Sequence, residues 1–137
     1  MTFGENIKDS LKILVFNETS LIGISNNASA TGYGFLTLII AGVAMGIHTL
    51  NSFSLSTLNP FILITPIVLI IGLFIVYSIY HFLAKFILRG QATGVQYFRS
   101  LSNSCVIYWF TIIPFRGAFL RYFAGLWLII INIFIMH

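Results

Sequence analysis

The side chains that could do chemistry in this chain are few and unevenly placed. All three acidic residues, Glu5, Asp9 and Glu18, lie before residue 19, and beyond them the charged or titratable side chains are Lys, Arg, His, Tyr and the lone Cys105. Catalysis by a carboxylate pair, or hard-metal binding by one, has no residues to work with there. Proton- or sodium-coupled transport meets the same obstacle, because such proteins usually hold Asp or Glu within their spans. What remains is soft. Met45 and His48 share a helical face, and Met136 precedes His137, so thioether and imidazole would suit copper(I). Two soft ligands do not complete a metal site, and His48 and His81 fall at opposite ends of adjacent antiparallel helices. Histidines acting as polar contacts between helices are the plainer expectation. The reading is of no catalytic residue, no metal and no cofactor, with bound lipid expected.

Other spacings point to packing and to membrane surfaces. Gly42 and Gly46 form a Gly-x-x-x-Gly pair, which lets another helix backbone come close because no side chain intervenes. Lys85, Arg89, Arg99, Arg116 and Arg121 stand singly between apolar runs. Nucleic acid would need them clustered on a solvated face, so anionic lipid headgroups are the expected contact. Cys105 has no second cysteine to pair with and sits in an apolar stretch, where a thiol behaves as a small hydrophobe. Asn17-Glu18-Thr19 and Asn27-Ala28-Ser29 match the glycosylation pattern, as chance allows in so Asn- and Ser-rich a segment.

The elements that must position these residues follow from composition. Hydrophobic residues make up 58% of the 137 and charged ones 7%, against roughly a quarter charged in a soluble domain. The expectation is an all-α integral membrane bundle of about four transmembrane helices, preceded by an amphipathic interfacial helix. Phe3, Ile7, Leu11 and Leu14 recur at helical spacing over 3–16, opposite Glu5, Lys8, Asp9 and Lys12. That helix is too short to span hydrocarbon. Thr2 and Glu5 stand at capping-box spacing before it. Residues 17–32 show no apolar periodicity and read as a polar connector, which completes an N-terminal unit over 1–32.

The transmembrane bundle then occupies 33–137, with spans at about 33–50, 61–84, 101–115 and 119–136. The segment 51–60 makes a tight hairpin, and Pro66 lies near the start of the second span, where a missing amide costs least. The third run has only 15 residues and begins with Ser and Asn, so a re-entrant path is open to it. Trp109 and Trp127 lie far from predicted span ends and are read as facing lipid or packing. No removable signal peptide is expected. Lys8, Lys12, Lys85, Arg89 and Arg99 flank one side of the predicted spans, against Arg116 and Arg121 on the other. The N-terminus and the basic turn should therefore face the cytoplasm.

Tyr80-His81-Phe82-Leu83-Ala84-Lys85 at a span end, the Gly90 turn, Tyr97-Phe98-Arg99-Ser100-Leu101, and Ile112-Ile113-Pro114 closing a span resemble the core of the Yip family. These are multi-span membrane proteins whose eukaryotic members associate with Rab-type GTPases. The likeness covers mainly 80–137. It lacks the usual fifth span and the acidic, Tyr-Gly-Pro signature of eukaryotic members, so what it implies is a fold and a membrane-organising role.

These observations favour a non-catalytic structural or accessory subunit that packs against other membrane proteins, as homo- or hetero-oligomer, in a larger complex. A Yip-like trafficking scaffold is the alternative, and an oligomeric channel or carrier the third.

Overall fold

The computed structural model describes residues 1–50, 61–86, 92–112 and 117–136. Among them the chain is all-α, without strands. The helices are α1 (Phe3–Ile13), α2 (Glu18–Asn26), α3 (Ala30–Leu50), α4 (Phe61–Phe86), α5 (Gly94–Ser104) and α6 (Gly117–Met136). A 3₁₀ helix, Cys105–Ile112, continues α5.

Local chemistry fixes where α1 starts and stops. The Thr2 N–H donates to Glu5 Oε2 at 2.7 Å and the Glu5 N–H to Thr2 Oγ1 at 3.3 Å, a complete capping box. The bond from the Thr2 backbone N–H, and then the Thr2 hydroxyl, hold the Glu5 carboxyl below the usual glutamate range. At the other end Asn17 N–H bonds Lys12 O at 3.1 Å and Phe16 N–H bonds Ile13 O at 2.9 Å, the Schellman pattern. Phe16, at φ 61°, occupies the left-handed position that glycine usually takes.

The connector expected over 17–32 is corrected by α2. Asn17 Oδ1 accepts from Ser20 N–H at 2.9 Å, so the residue that ends one helix caps the next. Capping and burial of Ser20 and Ile24 carry this short helix without a continuous apolar stripe.

The apolar runs form α3, α4 and α6. α3 is central and packs against α4, α5 and the 3₁₀ helix. Its buried face is built from small or short residues, with Ala30, Thr37, Leu38 and Ala41 each at most 1% exposed. Small residues let neighbouring backbones approach where lipid gives no hydrophobic drive to helix pairing. α4 is by itself long and apolar enough to cross a membrane, over Pro66–Leu83. Among the described residues no other single helix is. α2 and Ala30–Gly46 of α3 meet the same standard only as a pair bent by 107°, and Tyr122–Ile135 of α6 is a shorter apolar helix.

The third expected span, 101–115, is divided between two kinds of helix. Its first turn belongs to α5, and the remainder to Ile112 is 3₁₀. The hydroxyls of Ser100, Ser102 and Ser104 donate to the carbonyls of Gln96, Phe98 and Ser100 at 3.1, 2.7 and 2.8 Å. Such back-bonding competes with the helical ladder and commonly bends it, and the tighter helix begins at the next residue. Residues 113–116 lie outside the described residues.

Candidate functional site

The polar side chains that the apolar runs carry inward converge on α5. Thr93 caps it, with its N–H donating to Gln96 Oε1 at 2.8 Å and its Oγ1 accepting from Gln96 N–H at 3.3 Å. The Gln96 amide then reaches α2, donating to Asn26 Oδ1 at 2.8 Å. One turn on, Arg99 Nε donates to Thr31 Oγ1 at 2.8 Å and Nη1 to Ser25 O at 2.9 Å. Asn103, fully buried, donates through Nδ2 to Ala30 O at 3.0 Å and Arg99 O at 2.7 Å. Its Oδ1 accepts from Asn6 Nδ2 at 2.6 Å, which ties α1 into the same seam. The Asn6 Oδ1 is buried and has no partner.

A second cluster joins α4, α5 and α6. The Tyr77 hydroxyl donates to Gly94 O, and the His81 ring stacks on Tyr77 with centroids 5.9 Å apart. Tyr97 lies 6.1 Å from the His81 ring and donates to Asn132 Oδ1 of α6 at 2.5 Å. Asn132 Nδ2 closes the chain of bonds on Leu128 O at 2.8 Å.

Two indoles act as clamps between helices. Trp109 Nε1 donates to Thr37 O of α3 at 3.2 Å, and Trp127 Nε1 to Leu14 O at the end of α1 at 3.0 Å. The Phe16 ring rests against Trp127 and Phe134 of α6, at 5.6 and 5.4 Å.

Of the residues singled out in the sequence, Gly42 faces the Pro66 backbone of α4. A Cβ built there would stand 2.4 Å from the Pro66 Cα. Gly46 is buried on α3, and Met45 is half-buried beside it. Lys85 lies exposed at the end of α4, and Arg99 is committed to α2 and α3 as described. The side chains of His48, Arg116, Arg121, Met136 and His137, and all of Arg89, lie outside the described ones. Among the described residues no three His, Cys, Asp or Glu side chains gather as a metal site would require.

Sequence reasoning missed Asn6, Gly34, Asn103 and Asn132. A Cβ on Gly34 would fall on Ser102 Oγ, so the Ser102 side chain of α5 packs directly on the α3 backbone there. Asn132 did carry a signal, an Asn inside an apolar run, which must find a partner when lipid surrounds the helix, whereas Asn6 and Asn103 stand among polar neighbours. The arrangement is one of hydrogen bonds spent on holding helices together. Compared with protein-family models, curated proteins and solved structures, the chain matches none.

Proposed function

We propose that the chain is a multi-pass integral membrane protein with a non-catalytic structural or accessory role, packing against other membrane proteins in a larger complex. One observation carries the reading. The most apolar stretch of α4, Pro66–Leu83, is only 6% buried, whereas Asn103, Asn6, Ser100 and Thr37 are almost wholly enclosed. A soluble protein's core helix passes the same test of length and composition, but it is buried. An apolar exterior over a polar, hydrogen-bonded interior suits a lipid solvent.

In this reading α3, α4, α5 with its 3₁₀ extension, and α6 make four crossings. The N-terminus and the basic turn from Lys85 to Arg99 face the cytoplasm. The apolar faces of α4 and α6 meet lipid or partner helices. The test is extraction of native membranes at alkaline pH, followed by purification in mild detergent. The chain should stay with the membranes and then co-purify in a specific complex. Release by alkali would overturn the membrane placement. Recovery of the chain alone with lipid would overturn the accessory role.

A Yip-like membrane-organising scaffold is the second reading. It is favoured by the way residues carrying that resemblance gather, with His81 of α4 lying against Tyr97 of α5 at 6.1 Å between ring centroids.

A further inference from the structure

α2, the first turns of α5 and the last turn of α6 enclose an open cavity of about 310 Å³. Small-molecule sites span roughly 300–1,000 Å³, so the space suits a headgroup and not a whole lipid. Leu21 and Ile22 lie one turn before Ser25 and Asn26 on the same face of α2, and Gln96 of α5 and Ile135 of α6 also line the space. Ile22, 59% exposed, stands at the rim, while Ser100, 1% exposed, lies at the floor. Polar and apolar side chains thus both line the cavity, as a site for an amphiphile requires.

The electrostatics add a sign. Arg99 lies directly behind the Ser25 wall, with Nη1 2.9 Å from Ser25 O. A guanidinium has five N–H groups, and the two bonds to Ser25 and Thr31 both end on uncharged oxygens. Gln96 has spent one amide proton on Asn26 Oδ1 and keeps the other. No acidic residue follows Glu18 in the sequence, and Glu18 lies seven residues before Ser25 on α2, about two turns away.

The geometry points to this cavity as a site for the headgroup of an anionic glycerophospholipid. Its phosphate lies toward the Arg99 side, its headgroup hydroxyls meet Asn26 and Gln96, and its first acyl carbons run along Leu21, Ile22 and Ile135. The inference rests on the membrane placement proposed above. Its test, run on detergent-solubilised protein, is separate from alkaline extraction, so either can fail alone.

Thermal unfolding is followed with added dioctanoyl phosphatidylglycerol, dioctanoyl phosphatidylcholine or inorganic phosphate. A ligand that binds only the folded state raises the midpoint by mass action. Phosphatidylglycerol should raise it with an apparent Kd about tenfold tighter than phosphatidylcholine, a difference of about 1.4 kcal/mol, and inorganic phosphate should do neither. Ala92→Phe, at an exposed position on the lining, should plug the cavity and abolish the shift without lowering the lipid-free midpoint. Asn26→Asp keeps the oxygen that Gln96 bonds and sets a negative charge at the wall, so it should weaken phosphatidylglycerol about tenfold. Equal shifts from the two lipids, an equal shift from phosphate, or an unchanged response in Asn26→Asp would each overturn the site.

Discussion

What stands opposite an absent Cβ decides whether a glycine is replaceable, and two glycines in neighbouring helices differ completely. Gly42 faces the Pro66 backbone, which cannot swing aside as a side chain would, whereas nothing lies within 4 Å of a Cβ on Gly72. Gly42→Ala should therefore destabilise by about 1–3 kcal/mol through overpacking, while Gly72→Ala should gain up to about 1 kcal/mol from helix propensity. Unfolding of both variants in mild detergent measures the contrast, and equal effects would remove the close contact between α3 and α4. The two asparagines of the seam differ in a similar way. Asn103→Leu loses the bonds to Ala30 O and Arg99 O and orphans the Asn6 amide, at a cost of about 2–3 kcal/mol. Asn6→Leu removes one bond together with an acceptor that had no donor, so about 1 kcal/mol is expected. The double variant should cost less than the sum, since each single change strands the other's partner. Gly42 could be singled out in the sequence because Gly-x-x-x-Gly is a local pattern. The Asn6–Asn103 pair was not, because its members are 97 residues apart and nothing local says which polar groups will meet.

At the level of elements, the period of 3.6 gave the position of α1 but not the face it buries. Of the apolar row Phe3, Ile7, Leu11 and Leu14 only Leu14 is buried, whereas Asn6, Ser10 and Ile13 are enclosed and Leu11 stays 40% exposed. A helix beside lipid can leave its apolar row to the lipid and use its polar row on the bundle. α3, α4 and α6 were legible as long apolar runs, which need no partner to be recognised. α2 escaped because its cap and the turn before it depend on a phenylalanine in a glycine's conformation. An L-residue there costs roughly 1–2 kcal/mol, and the Phe16 ring is held against Trp127 and Phe134. Trp127→Phe keeps an aromatic ring in place but deletes the N–H bonded to Leu14 O. A loss of about 1 kcal/mol is expected, with faster hydrogen exchange over 13–20 while α3 and α4 are unchanged. Uniform acceleration across the chain would mean that this clamp is part of global stability and not a latch for the N-terminal pair.

For the whole molecule, the seam and the charge pattern bear on the same question, the side of the membrane on which the N-terminal end lies. Asn6 of α1, Asn26 of α2 and Thr31 of α3 are all bonded to α5 within its first three turns, so the N-terminal unit and the start of α5 form one end of the bundle. α4 brings its C-terminal half to that end, where Tyr77 bonds Gly94 O. Lys8, Lys12, Lys85 and Arg99 belong to these segments, and an excess of Lys and Arg beside spans marks the cytoplasmic face. Cysteines at Gly4 and Ala92, both exposed, should therefore resist a membrane-impermeant thiol reagent in intact cells and react once the membrane is opened. A cysteine at Ser52, in the segment outside the described residues, should react from outside. The background carries Cys105→Ser; the native thiol is fully buried and should itself stay silent. The pairing of Gly4 with Ala92 follows from hydrogen bonds and their common side from charge, so the two ideas can be separated. Labelling of Gly4 and Ala92 together from outside would invert the orientation and leave the fold intact. Labelling of one without the other would break the bundle end itself, and with it the four-crossing arrangement.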